Sequence, residues 1–261
     1  MKNTFIKSLL ATAAFVAVSS ASAAIITVPT DGTTVTMGAT LTGTSTWSLG
    51  TDLLDASLDM LRPGLVLGNT GAATISIAMD EGRDFFTAVS ISSPMTSLQV
   101  DTTSAQLLTT SSTGGISFAM KALKHLSTGG SLAVTDLDID LFNKKVYANI
   151  VGGNDVGTLN HVYLWDIANI TTDAGPNYVH SELTDLSMTT EGLNIFSQSL
   201  GLTPLMQDRM TWVNSGGFFG GRYGSISITI VATPAVPEPA TIAYLLGGLA
   251  IVGMILRRRA K

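Results

Sequence analysis

Apolar and polar residues alternate in short stretches along most of the chain between residues 25 and 232. Residues two apart on a strand share one face of a sheet, so this alternation predicts β-strands. Turn residues 80–84 join two of these stretches into a predicted hairpin. Predicted strands, or parts of strands, cover residues 33–37, 74–79, 85–91, 98–100, 115–120, 161–170 and 225–232.

The most regular unit is a predicted hairpin over residues 136–151, with turn residues Asn143 and Lys144 at its centre. A two-residue turn at that position places six apolar residues on one face. The predicted cross-strand partners are Leu141 with Val146, Ile139 with Ala148, and Leu137 with Ile150.

Helical spacing of apolar residues occurs in two segments, 51–61 and 190–200. Pro63 and Gly64 follow the first segment and predict its end. A further short helical turn is predicted at Thr203, because Pro204 suits the first position of a helix. The predicted fold class is therefore mainly β: an antiparallel, β-sandwich-like domain with two or three short helices.

The N-terminal segment has the pattern of a signal peptide. Lys2 and Lys7 precede or flank an apolar run over 9–18, which is short for a membrane span. Ala21 and Ala23 then supply the small residues that signal peptidase accepts. We expect export through the Sec machinery and cleavage after Ala23, so residues 1–23 are predicted to be a signal peptide.

The C-terminal segment predicts a marginal membrane helix. Its apolar run, 241–256, rises about 24 Å as a helix against a hydrocarbon core of about 30 Å. The arginines that follow favour the cytoplasmic side of the inner membrane. The prolines before the run restrict the backbone to extended conformations, which suits recognition by a processing enzyme. The basic cluster consists of Arg257, Arg258 and Arg259, within residues 257–261.

The strip before the apolar run is Val236, Pro237, Glu238, Pro239, Ala240 and Thr241. Together with the apolar helix and the arginines, it resembles the PEP-CTERM sorting signal of Gram-negative bacteria. The resemblance implies an exosortase-type transpeptidase as partner, a passage through the inner membrane, and a final place at the cell surface or in the exopolysaccharide matrix of a biofilm. The predicted domains are the signal peptide 1–23, a secreted β-rich body 24–235 and the sorting signal 236–261.

The composition of the body excludes several functions. It carries 8 basic and 18 acidic residues, a net charge of −10, which disfavours nucleic acid as a partner. Cysteine is absent, which excludes disulfides and thiolate chemistry. The common catalytic motifs of hydrolases and phosphate-binding enzymes are missing from the sequence. We therefore expect a non-enzymatic structural or adhesive protein, with a displayed ligand-binding module as the alternative and a secreted hydrolase third.

Two sets of residues are candidate ligand sites. His161, Tyr163 and Trp165 are predicted to share one strand face, which suits either a sugar ring, a porphyrin or ordinary core packing. Asp136, Asp138 and Asp140 form a second row, a weak candidate for calcium. Successive carboxylates on a strand lie about 6.6 Å apart, so a solvated acidic face is the competing interpretation. No cofactor is expected, with calcium or haem as the alternatives.

Two further segments, 186–193 and 216–220, resemble the β-rich HtaA-like haem-uptake modules. No haem ligands can be matched by position. A helix start and a glycine-rich turn explain the same residues.

Overall fold

The structure is a computed structural model that describes residues 24–234, apart from residues 37, 81, 83, 84, 105 and 218–221. The predicted signal peptide, with Ala21 and Ala23, lies outside the described residues. So does the predicted sorting signal from Val236 to the C-terminal arginines.

The described chain is mainly antiparallel β-sheet, which confirms the predicted fold class. It contains thirteen strands: β1 (Ile25–Pro29), β2 (Asp31–Thr36), β3 (Ala39–Ser48), β4 (Leu65–Thr70), β5 (Thr74–Asp80), β6 (Phe85–Asp101), β7 (Gln106–Ser112), β8 (Gly115–Met120), β9 (Gly130–Asp140), β10 (Lys145–Gly152), β11 (Gly157–Ala174), β12 (Tyr178–Met188) and β13 (Ser225–Pro234).

The sheet closes on itself. Its strands follow the order β1-β6-β3-β13-β12-β11-β10-β9-β8-β4, and β7 pairs with both β6 and β9. A continuous circuit of hydrogen-bonded strands therefore runs β6-β3-β13-β12-β11-β10-β9-β7 and back to β6. The inward residues of these strands form the hydrophobic core.

Three helical segments pack against this sheet. The first, α1, consists of Thr51–Leu53, a π-helical turn Leu54–Leu58 and Asp59–Leu61. The second, α2 (Thr190–Ser199), begins at Thr189, whose hydroxyl accepts a hydrogen bond from the Gly192 amide at 3.0 Å. The third, α3 (Pro204–Asn214), starts at its proline. None of the helices in the described part of the chain has the length and apolarity needed to cross a bilayer.

The helices close one side of the core with aromatic contacts. Phe196 of α2 packs edge-on against Trp165 of β11, with ring centroids 6.4 Å apart. Trp165 also contacts Trp47 of β3, at 4.8 Å between centroids. These contacts tie strands that are distant in sequence to the helix that follows β12.

Several predicted elements are confirmed with longer bounds. The segments 85–91 and 98–100 belong to one strand, β6, and the strand predicted at 161–170 extends over Gly157–Ala174. The helix predicted at 51–61 is present, and the turn predicted at Thr203 is a helix of eleven residues. Strand β12 was not predicted, because its pattern also fits a helix.

The predicted partners in the hairpin over 136–151 are wrong by two residues at Val146 and by three at Ile150, although its apolar residues do share the core face. Val146 pairs with Ile139, and Ile150 pairs with Val134. The turn has four residues, since β9 ends at Asp140 and β10 begins at Lys145. Asp140 stabilises this longer turn by accepting hydrogen bonds from the amide and side chain of Asn143, at 2.8 and 2.7 Å.

Candidate functional site

An irregularity in the pairing of β10 with β11 determines on which side of the sheet Trp165 lies. Val146 pairs with Trp165 and Tyr147 with Tyr163, so Leu164 is an extra residue in β11. A β-bulge of this kind turns two successive side chains to the same side. Leu164 and Trp165 are consequently both buried in the core.

Trp165 is therefore wrongly placed by the prediction that it shares a face with His161 and Tyr163. It is fully buried, and it contacts Trp47 and Phe196 inside the sheet. Strict alternation would have kept Trp165 outside, but the extra residue Leu164 shifts the alternation by one position. Trp165 belongs to the core and is removed from the candidate ligand face.

Tyr147 of β10 completes the aromatic row in place of Trp165. Its ring stacks on that of His161, with centroids 4.3 Å apart and planes 8° from parallel. The Tyr163 ring, on the same strand as His161, lies 5.4 Å from the Tyr147 ring between centroids. We call Tyr147, His161 and Tyr163 the outer aromatic row.

His161 is held in an unusual backbone conformation. Its φ of 53° lies in the left-handed region, which non-glycine residues adopt uncommonly. The His161 amide donates to the Asn149 side-chain oxygen at 2.9 Å, and Nε2 lies 3.0 Å from Asp138 Oδ2. These contacts fix an imidazole whose side chain is still 60% exposed.

Polar groups surround the outer aromatic row. The Tyr163 hydroxyl donates a hydrogen bond to Asp166, and the Lys145 ammonium lies 4.7 Å from the centre of the Tyr163 ring. Partial burial of the phenol and its bond to Asp166 raise the pKa of Tyr163 well above its ordinary value. Tyr163 is therefore a neutral hydrogen-bond donor throughout the physiological range.

The three aspartates of β9 point to different partners. Asp136 accepts from the Gly114 amide at 3.0 Å and from the Asn149 side chain at 3.2 Å. Asp138 contacts His161, and Asp140 is bound to Asn143 in the turn. Within the described ranges no three carboxylate or imidazole groups lie close enough together to hold a metal ion.

Asp136 occupies a backbone bulge with a φ of 54°. Desolvation raises the pKa of its carboxyl, but donation from Gly114, Asn149, Thr135 and Thr113 outweighs that effect and lowers the pKa overall. The carboxylate is thus committed to structural hydrogen bonds at the edge of the candidate site.

Sequence reasoning missed Tyr147, Lys145 and Asn149 as members of this face. Their positions in β10 alternate with the buried Val146, Ala148 and Ile150, so the hairpin pattern already placed them outside. The missing step was to compare the outer faces of β10 and β11 across the sheet.

The two segments that resemble haem-uptake modules lie at the ends of secondary-structure elements, as far as the structure describes them. Residues 186–193 form the end of β12 and the start of α2. The Asn214 side chain at the end of α3 bonds the amide and carbonyl of Met188, at 2.6 and 3.0 Å. Gly216 and Gly217 lie in the turn after α3, and 218–220 fall outside the described residues.

The C-terminal tail matches a known protein family. A family described as the PEP-CTERM protein-sorting motif matches residues 235–259. The chain carries a PEP-CTERM protein-sorting motif. This confirms the resemblance expected from the Pro-Glu-Pro strip, and the PEP-CTERM motif implies export and exosortase-dependent sorting to the cell surface.

No curated protein matches the chain. Among solved structures, it is weakly similar to the C-terminal domain of HtaA from Corynebacterium glutamicum. The sequence identity is 12%, over 74% of this chain and 100% of that domain, with a TM-score of 0.38. A similarity of this size does not identify a ligand.

Proposed function

We propose that this protein is a non-enzymatic adhesin of the cell surface or extracellular matrix, and that its outer aromatic row contacts polysaccharide. The PEP-CTERM motif supports the location, because it implies an exosortase-sorted protein. The stacked pair of Tyr147 and His161 supports the ligand class, because a rigid exposed ring suits the apolar face of a sugar.

Polar groups beside the rings suit the hydroxyls of a sugar. Asp138 and Asp166 provide carboxylate acceptors next to His161 and Tyr163. Hydrogen bonds to charged groups are stronger than neutral ones, and they orient a bound ring. The net charge of −10 on the body favours neutral polysaccharides over anionic ones.

Retention on immobilised polysaccharides tests this proposal. His161→Asn removes the imidazole, while asparagine tolerates the left-handed backbone at this position. An aromatic stacking contact of about 0.5–1.5 kcal/mol corresponds to a loss of affinity of about two- to tenfold. His125→Asn is the matched control, since His125 is also exposed and has a φ of 65°.

We expect the His125→Asn protein to be retained like the unmodified protein, and the His161→Asn protein to elute earlier. Equal retention of the two variants, or no retention of the unmodified protein on any resin, would contradict the proposal. Two alternatives stay predictions: that the protein binds haem, and that it is a secreted hydrolase. A Soret band after incubation with haem would favour the first, and turnover of ester or glycoside substrates would favour the second.

A further inference from the structure

Strand β5 is an open edge with almost no charge. In the described part of the chain its one sheet partner is β6. No charged residue lies between Arg62 and Asp80, although the body as a whole carries a net charge of −10. Exposed edge strands usually carry lysine, proline or a bulge that prevents pairing with another chain. The irregularity nearest to β5 lies in β6, where Thr87 is the extra residue, so β5 itself is regular.

The core side of β5 is apolar and partly uncovered. Ile77 pairs with Val89, and directly opposed residues share a face of the sheet. Val89 is buried in the core, yet Ile77 and Met79 are 41% and 42% exposed. Burying these two side chains against another molecule would remove apolar surface from water.

We propose that β5 pairs in an antiparallel manner with β5 of a second copy of this protein, about a two-fold axis at Ala78. In this register Ala78 faces Ala78 of the second copy, so no bulky side chain opposes close approach. Ile77 faces Met79 of the second copy, and the reciprocal pair covers both exposed apolar side chains. Ser76 faces Asp80 of the second copy, where its hydroxyl can donate to the carboxylate.

The charges in this register are compatible with a second copy. The two Asp80 carboxylates lie four residues apart along the paired strands, about 13 Å. This separation exceeds the Debye length of about 8 Å at physiological ionic strength, so their repulsion is largely screened. One strand supplies both sides of every contact, as a two-fold interface requires. The inference is independent of polysaccharide binding.

Pairing of five residues on each side is a small interface. Stable interfaces bury about 1,200 Å² or more, so we expect weak, reversible association that is favoured by crowding at a surface.

Trapping the associated pair with a disulfide bond is the suitable test. The chain has no cysteine, so a single introduced thiol reports one contact.

The test compares disulfide-linked dimers of the exported full chain bearing Ala78→Cys or Val231→Cys under mild oxidation. Residues directly opposed in an antiparallel pair have Cα atoms about 4.5–5.5 Å apart, which is within disulfide range. Val231 is exposed but lies on β13, between β12 and β3, and is the matched control. We expect at least a tenfold higher initial rate of dimer formation for Ala78→Cys.

Adding Ile77→Lys to Ala78→Cys should reduce that rate to the level of Val231→Cys, because it places a charge opposite Met79 of the second copy. Thermal unfolding must show that the double variant is folded, and if it is not, Met79→Lys replaces Ile77→Lys. Equal rates for Ala78→Cys and Val231→Cys would overturn the proposal. Mixed disulfides formed only with other exported proteins would overturn it as well, in favour of a different partner.

Discussion

Trp47 and Trp165 are buried in contact with each other, but only Trp47 forms a hydrogen bond through its indole N–H among the described residues. Trp47 donates from Nε1 to the Tyr223 carbonyl oxygen at 3.3 Å. Trp165 is fully buried, and its Nε1 has no acceptor among the described residues. A buried donor without a partner costs about 1–3 kcal/mol of stability, whereas a satisfied one contributes modestly.

This difference predicts unequal effects of the same substitution. Trp→Phe removes similar apolar volume at both positions, but at Trp165 it also removes the unpaired donor. We expect Trp47→Phe to reduce the free energy of unfolding by about 1 kcal/mol more than Trp165→Phe does. Urea denaturation measures both values, and an equal or larger loss for Trp165→Phe would contradict the prediction.

Irregular strand pairing limits what the sequence predicts about single residues. Alternation correctly assigned the outer positions of His161 and Tyr163, but it could not reveal that Leu164 is an extra residue in β11. The burial of Trp165 depends on that bulge, which arises from pairing with a strand about 20 residues away. Tyr147 was accessible to sequence reasoning, because its own strand is regular around it.

Elements were predicted better than the pairing between them. The periodicity of apolar residues correctly indicated strands near 74–79, 85–91, 115–120 and 225–232 and helices near 51–61 and 190–200. The partners in the hairpin of β9 and β10 were wrong, because a turn stabilised by Asp140 and Asn143 replaces the expected two-residue turn. Closure of the sheet depends on the pairing of β7 with β9 and of β13 with β3, strands that are distant in sequence, and periodicity does not encode such pairings.

Asp136 lies where β9 changes its partner along one edge from β8 to β7. Strand β8 pairs with residues up to Thr135, and β7 pairs with Asp138, Ile139 and Asp140. The Asp136 amide donates to the Gly114 carbonyl at 3.0 Å, and its carboxylate accepts from the Gly114 amide. Asp136 therefore joins β9 to the junction between β7 and β8.

We predict that Asp136→Asn destabilises the protein by about 1–3 kcal/mol at neutral pH. The asparagine NH2 group would face groups that now donate hydrogen bonds to the Asp136 carboxylate, so some of these bonds would be lost. The pKa of Asp136 is lower in the folded state, so its contribution is complete above the unfolded value of about 3.9 and is lost as pH falls through the folded value. The difference in free energy of unfolding between the unmodified protein and Asp136→Asn should therefore shrink below about pH 4.

Urea denaturation between pH 7 and pH 3 checks this expectation. Asp155→Asn is the matched control, since Asp155 is exposed and also has a positive φ, of 66°. A loss of stability in Asp136→Asn that does not change with pH would show that the ionised carboxylate is not the stabilising group.

At the scale of the whole molecule, charge is unevenly distributed. Between Pro63 and Met120, charged residues occur only at residues 80–84 and at Asp101, so β4 to β8 carry just two of them, Asp80 and Asp101. Seven acidic residues lie on β9, β11 and β12, and two of them, Asp138 and Asp166, contact the outer aromatic row. The proposed polysaccharide face and the proposed self-association edge therefore lie on different strands, and one copy can use both.

Sorting connects this domain to its final location. Strand β13 ends at Pro234, and the PEP-CTERM motif begins at residue 235, so the sorting signal follows the β domain directly. We predict that Pro237→Ala combined with Pro239→Ala blocks processing, because both changes restore the backbone freedom that proline removes. Pro234→Ala, outside the motif, is the matched control.

The double variant should keep the mass of its C-terminal tail and remain in the inner-membrane fraction, while the control is processed normally. Identical mature masses for the two variants would show that the prolines are not required for exosortase recognition.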